Sequence, residues 1–563
     1  MVAGGVVAYG LLLAPPFILM GETMAYLRRI PWTRLVTDDR WTPLFNEPQL
    51  GILALLLSTS LVVGVALAVG GGAAWLVAWV DSFAGAGSGG LGRRLVRYYE
   101  WLPPLLWGWL FLVWGVSLLQ RFLGWWSVEA GRYSGLAAGL ALALVVFFPV
   151  YSRAQAAFEE AGRVFPAVRS LGLEGRRLYL GLWLRGAFPG LVSALAAGAA
   201  VAYGESIVVT LLGGQAVRES WNLLDPVQTV GAFLVQTALG DVSPGSPGRG
   251  PLALAALVLW LVAGGCGAVA AGTGSKIGRR APDMGAARQG KVPVGVTGKT
   301  AARAARFLGA SSGVPLVLAA AALLWEGSVF LAGRSAAPDV RSLLAYQWWP
   351  LVAGTLGGVG AALAAAGVLG GGAAFVVDNA RRTRLGRILE IPLRMGEATP
   401  PVVIGIVVLL GLGRLEVPAG TLLGGSLALT LALLPRTVEG FRRAAAGVAS
   451  PAGRTAVALG LDVAGTWPLL VAPAVRRRFL GCLLSAAARV LGDPAPLLVL
   501  GVYVVTTFAP SAPGDPFVTL PTHAFFWLTR SEPGFPGAVA VVLWTLVIAA
   551  AGLRWAARRL EEE

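Results

Sequence analysis

Apolar stretches long enough to cross a bilayer alternate with short, arginine-rich polar stretches along the whole chain. The apolar segments run at approximately 2–20, 50–80, 102–120, 134–151, 187–213 and 252–273. A second set runs at approximately 307–332, 350–377, 400–413, 418–435, 480–506 and 537–556. A helix needs ~20 apolar residues to cross a ~30 Å hydrocarbon core, and many of these segments approach or exceed that length. The pattern predicts an all-α polytopic membrane protein with about twelve transmembrane helices, six in each half. The segment at 400–413 is short and ends in Gly411-Leu412-Gly413-Arg414, which leaves its limits loosely defined.

Composition agrees. Hydrophobic residues make up 56% of the 563 positions and charged residues 13%, with a mean hydropathy of +0.71. A soluble chain of this length needs far more surface charge. A net charge of +16 in a soluble protein would point to nucleic acid. Here the arginines sit between apolar runs, as in the cytoplasmic loops of membrane proteins, so nucleic acid is not an expected partner. Segments 91–100, 152–186, 378–398 and 436–478 are basic, and so is the joint at 274–306. All five fall on one side of a six-plus-six topology, which places both termini in the cytoplasm. Arg28, Arg29, Arg34 and Arg40 dissent on the outer side, and the five loops outvote them. The apolar stretch from Val2 to Leu13 has no basic residue before it and reads as a retained anchor.

The chain repeats itself. Leu171-Gly172 to Gly204-Glu205-Ser206 returns as Leu459-Gly460 to Gly492-Asp493-Pro494, an offset of 288 (460 − 172, and again 492 − 204). Pro103-Pro104 with Gly108 matches Pro400-Pro401 with Gly405 at 297 (401 − 104). Ser58-Thr59 matches Gly354-Thr355 at 296 (355 − 59). Landmarks in one order with nearly one offset mean duplication. The expected organisation is a first repeat at 1–275, a basic linker at 276–306 and a second repeat at 307–563, forming two homologous six-helix bundles. A membrane protein built twice from one plan is usually a transporter.

The linker contains Gly298-Lys299-Thr300, but Pro293 stands where a phosphate-binding loop needs glycine, and no strand precedes it. The chain is therefore not expected to bind ATP or hydrolyse it, and no cofactor is implied. Cys266 and Cys482 lie in apolar runs and give neither a disulfide framework nor metal spacing. His523 reads as a loop residue without a metal role. A membrane-embedded enzyme lacks support, since no acidic cluster or Cys-His pair is present.

The Leu-Gly segments resemble the cytoplasmic loop of ATP-binding-cassette importer permeases, which reads E-A-A, three residues, G, nine residues, I-x-L-P. The second copy here is Arg454-Thr455-Ala456, three residues, Gly460, nine residues, Leu470-Val471-Ala472-Pro473. The first is Pro166-Ala167-Val168, three residues, Gly172, nine residues, Leu182-Trp183-Leu184-Arg185. Both copies lack the acid, and the first lacks the final proline. Trp41-Thr42-Pro43, Gly204-Glu205-Ser206-Ile207 and Asp225-Pro226-Val227-Gln228-Thr229 resemble the C-type permease of the phosphate-specific (Pst) importer. Gly492-Asp493-Pro494-Ala495-Pro496-Leu497-Leu498 resembles the A-type permease's G-E-T-A-P-L-L.

The whole chain thus resembles the two phosphate permeases fused end to end. The resemblance implies a type I importer fold in the plasma membrane of a prokaryote. It also implies a homodimeric ATPase docked at Leu171, Gly172, Leu459, Gly460 and Pro473, an extracytoplasmic substrate-binding protein, and phosphate as cargo. Importers of sulfate, molybdate or phosphonate are the alternative, and an ion-coupled secondary transporter is the more distant one. Residues 163–178 and 451–466 are expected to form short cytoplasmic helices.

Arg489 lies about nine residues into its apolar segment, roughly 14 Å at ~1.5 Å per residue and near the midplane. An arginine there needs a partner or a water-filled path. Asp493 is four residues on, one helical turn away. One reading has Arg489 meet a passing oxyanion with forked hydrogen bonds, tuned by Asp493 and Glu205. The other has an Arg489–Asp493 pair that only holds helices together. The first-half positions that match are Val201 and Glu205, so the arginine that the phosphate permeases carry in both halves is missing from the first.

Overall fold

The computed structural model describes residues 2–83, 102–129, 131–162, 170, 176–217, 221–240, 242, 245–278, 314–332, 338–380, 383–458, 472–502, 508–529 and 535–562. Helix α1 (Val2–Leu27) leads through a two-stranded hairpin, β1 (Trp41–Thr42) and β2 (Gln49–Leu50), into α2 (Ile52–Ser82). Then come α3 (Pro104–Gly124), α4 (Gly135–Gly162), α5 (Arg176–Gly204), α6 (Ile207–Leu212), α7 (Val230–Leu239) and α8 (Arg249–Gly278). The C-terminal half follows with α9 (Val314–Leu331), α10 (Pro338–Ala380), α11 (Arg384–Ala398), α12 (Pro401–Arg414) and α13 (Leu422–Ala458). It ends with α14 (Ala472–Val490), α15 (Ala495–Leu498), α16 (Leu520–Leu528) and α17 (Phe535–Glu562).

The protein is an all-α polytopic membrane protein. Among the described residues nine helices are long and apolar enough to cross a membrane, and a tenth arises if α11 and α12, bent by 108°, form one span. The expected count was about twelve. Two segments account for the difference. At 307–332 the apolar helix is short, Val317–Leu331. At 480–506 no continuous helix exists: α14 stops at Val490, and α15 starts at Ala495. The segment at 187–213 is broken in the same way, between Gly204 and Ile207.

The proline pairs do start helices. Pro103 and Pro400 occupy the N-cap positions of α3 and α12 with nearly equal backbone angles (φ −59°, ψ 137° and φ −58°, ψ 138°). Proline is tolerated there because the first turn's N–H groups lack helical partners anyway.

The same contacts recur along the chain at offsets from 287 (422 − 135) to 297 (405 − 108). Thr59 in α2 accepts the Val230 amide at 2.9 Å, and Thr355 in α10 accepts the Leu520 amide at 2.9 Å. Each threonine hydroxyl also donates to the carbonyl four residues back, at 2.8 Å to Leu55 and 2.6 Å to Leu351. The short helices α7 and α16 are each capped by a threonine side chain, Thr229 and Thr519. Gly108 packs against Val208 and Leu211, and Gly405 against Pro496 and Val499. The Gly135 and Leu136 amides donate to Asp225 and Leu223 carbonyls, as those of Leu422 and Leu423 do to Asp515 and Pro513.

The two halves also exchange elements. Helix α1 packs on α10 of the other half, with Ala8, Tyr9 and Leu12 against Ala373, Ala374 and Val377. A Cβ on Gly5 would lie 2.7 Å from the Gly372 carbonyl oxygen, so only a glycine permits that approach. Helix α9 packs on α17 of its own half and on α3 of the first.

The two threonines carry the same load in each half, so Thr59→Val and Thr355→Val are expected to act alike. Each leaves a buried amide without its acceptor and costs about 1–3 kcal/mol. The two sites share no hydrogen-bond partner, so the double variant should show roughly additive losses. Thermal unfolding of the detergent-solubilised chain measures both.

Candidate functional site

Inside a bilayer, backbone groups freed by a break in a helix must find partners within the protein. The break after α5 supplies its own. Glu205 Oε1 accepts the amides of Ile207 at 3.0 Å and Val208 at 3.3 Å, so its carboxylate closes the start of α6. The break after α14 repeats the device with different residues. Asp493 Oδ1 accepts the Ala495 amide at 3.1 Å, and Pro494 at the N-cap of α15 has no N–H to satisfy.

Each break sits against the proline pair of the other half. A Cβ on Gly204 would lie 3.6 Å from Pro400, and one on Gly492 only 2.5 Å from Pro103. Glu205 and Asp493 thereby come into each other's electrostatic field across the seam, both of them half-buried. Two arginines reach the same field from the C-terminal half: Arg489 in the last turn of α14, and Arg436 within α13. Arg489 is exposed and Arg436 is half-buried. Arg436 also acts on Glu397 of α11, which lies in the field of Arg443 and Arg153 as well. Beyond this group Arg442 binds Asp378 at 3.2 Å, Glu390 at 3.3 Å and Glu439 at 3.5 Å. Charged groups of both signs thus extend from the helix breaks along α13.

Arg489, Asp493 and Glu205 are therefore brought together, but two expectations about them change. Arg489 does not lie mid-helix; it stands one residue before the end of α14, where a cation complements the exposed carbonyls of the helix dipole. Asp493 is not one turn along the same helix, because that helix has already ended and the carboxylate caps the next one. Pro473 is the second residue of α14. Leu171, Gly172, Leu459 and Gly460 lie outside the described residues, as does most of the linker. The stretch expected as a short helix at 451–466 continues α13 as far as Ala458, and 459–471 lies outside the described residues.

Sequence reasoning missed Arg436 by placing it in a loop. The helix does not stop with the apolar run at 435; α13 continues, and Arg436, Glu439, Arg442 and Arg443 follow at helical spacing. That spacing was the available signal. His523 was also misplaced. It is buried in α16, 1% exposed, with its ring 4.3 Å from that of Trp527. Thr519 and Thr522 form a reciprocal cap that starts this helix ahead of it. Cys266 and Cys482 are half-buried thiols outside any disulfide, and Cys482 Sγ donates to the Gly440 carbonyl at 3.8 Å. Among the described residues no group of three or more His, Cys, Asp or Glu side chains could hold a metal. No family model, curated protein or solved structure matches the chain.

The two glycines at the seam differ in the room that surrounds them. Gly492→Ala forces a methyl into Pro103 and should destabilise the protein by roughly 1–3 kcal/mol, the usual range for overpacking. Gly204→Ala meets Pro400 at ordinary contact distance and should be nearly neutral in packing. Parallel thermal melts of the two variants read the difference, and equal losses would contradict the geometry.

Proposed function

We propose that the chain is the membrane-spanning permease of an ATP-driven importer, and that its substrate is inorganic phosphate. In this reading the translocation path runs along the seam between the two halves. The observation that carries it is the reciprocal placement of the two helix breaks. Each is capped by its own acid, each lies against the proline pair of the other half, and Arg489 and Arg436 flank the pair. Broken helices facing each other between repeats are how membrane transporters form a polar site within the bilayer. An arginine at that depth needs water or a charged ligand.

The geometry refines the roles. Asp493 is held in place by the Ala495 amide, so it offers a fixed countercharge rather than a mobile one. Arg489 ends its helix beside that carboxylate and supplies the planar fork that an oxyanion accepts. Arg436 supplies a second cation from the same half, where the first half has only Val201. Glu205 stands opposite and limits how tightly an anion is held. Two copies of a separate ATPase dock at the segments around Leu171-Gly172 and Leu459-Gly460, with both termini in the cytoplasm of a prokaryote. An extracytoplasmic binding protein delivers the anion from the other side.

Uptake of phosphate into cells that express Arg489 variants tests the reading. Arg489→Ala should abolish transport at normal expression, and Arg489→Lys should transport poorly, because lysine retains the charge without the fork. Normal uptake in Arg489→Ala would make that arginine structural. Arg489-dependent uptake of sulfate but not phosphate would reassign the cargo.

A further inference from the structure

Three helices bring charged side chains to one carboxylate oxygen at the end of the molecule where α1 and α12 finish. Glu22 lies near the end of α1, Arg249 is the first residue of α8, and Arg414 is the last residue of α12. Glu22 Oε1 accepts from Arg249 Nη2 at 3.0 Å, and from Arg414 Nε and Nη2 at 3.0 Å each. Arg249 Nη2 also donates to the Leu410 carbonyl of α12 at 2.9 Å. The side chains of Arg249 and Glu22 are 11% and 16% exposed, whereas that of Arg414 is 47% exposed and forms the rim. Two members belong to the N-terminal half and one to the C-terminal half, so the triad spans the seam.

At the related place on the other seam the contact between described residues is neutral. The offset 536 − 249 = 287 puts Pro536 of α17 where Arg249 stands in α8. Its carbonyl accepts the indole N–H of Trp109, in α3, at 3.2 Å. Both contacts join the first turn of a half's last helix to the proline-led helix of the other half. One is an ion triad with two largely buried members, and the other includes a single neutral hydrogen bond.

We propose that Glu22, Arg249 and Arg414 form an ionic latch that holds the outer end of one inter-half seam closed, with no equivalent among the described residues at the Trp109 seam. The proposal rests on the two-half permease reading. Opening the seam separates Arg414 from Glu22 and Arg249 from the Leu410 carbonyl, which leaves the largely buried Arg249–Glu22 pair short of partners, so the seam stays shut until water or a competing charge reaches it. The latch also has a mechanical connection to the path. Helix α12 ends at Arg414 and begins beside Pro400, which lies against Gly204 at the helix break. Fourteen residues, about 21 Å of helix, therefore join the latch to the break as one rod.

Cysteine accessibility tests the latch in intact cells. Thr23, next to Glu22, is 1% exposed. In a background carrying Cys266→Ala and Cys482→Ala, Thr23→Cys should react slowly with a membrane-impermeant maleimide added outside. Glu22→Gln should raise that rate about tenfold or more, the shift expected from weakening charge-assisted hydrogen bonds. The exchange Glu22→Arg with Arg414→Glu returns a carboxylate to the two cations and should restore slow labelling. A cysteine at Ala319 of α9, 3% exposed, reports general loosening. An unchanged Thr23→Cys rate in Glu22→Gln overturns the latch, and so does an equal acceleration at Ala319→Cys. Labelling requires no cargo, so a chain that carries no phosphate can still pass or fail this test.

Discussion

Broken backbone inside a bilayer is the constraint on which the centre of this molecule depends. Two helices stop within their apolar segments, and each stop frees amides that lipid cannot satisfy. The protein meets this with side chains from the break itself. Glu205 takes two amides and Asp493 takes one, while Pro494 removes another donor. A carboxyl group used as a cap is fixed in position, so it becomes a permanent polar feature of the seam. Arg489 and Arg436 are the cations that stand within reach of Asp493.

Close packing follows from the same breaks. A helix end is narrow only if its last residues are small, and Gly204 and Gly492 let the facing prolines approach. Pro103 and Pro400 can stand there because a helix start tolerates a residue without an N–H. Glycine on one side and proline on the other therefore form a matched contact, made twice. The first contact has room for a methyl group and the second does not. The seam is repeated in plan and unequal in tightness.

Much of this was legible in the chain. The proline pairs predicted the starts of α3 and α12, because proline at a helix start has a local cause. Thr59 and Thr355 stood out as landmarks, although only the fold reveals that they receive the first amides of α7 and α16. The breaks were not legible as breaks. Ile207–Leu212 and Ala495–Leu498 are as apolar as the helices before them, and hydropathy ran straight through. Arg436 was lost for the opposite reason. Polar residues from Arg436 onward suggested a loop, yet ion pairs at helical spacing carry α13 onward. His523 fell into a helix because a threonine cap starts that helix ahead of it. Each miss comes from a side chain that satisfies backbone or charge locally, which an average over many residues conceals.

Charge is where the two halves part company. Tyr151 donates a hydrogen bond to Asp81 at 2.6 Å, and the related pair is Arg442 with Asp378, an ion pair at 3.2 Å. Val145 and Val201 in the first half stand where Arg436 and Arg489 stand in the second, by offsets of 291 (436 − 145) and 288 (489 − 201). The first half instead brings polar side chains, such as the Ser60–Tyr203 hydroxyl pair at 2.8 Å. Two equal halves would present the same field on both sides of their seam. This seam has Arg436, Arg489 and Asp493 on one side and Glu205 on the other. If it is the path we propose, an anion there would be attracted from one side only. Recurring contacts supply the scaffold, and the residues that differ between the halves give the field a direction.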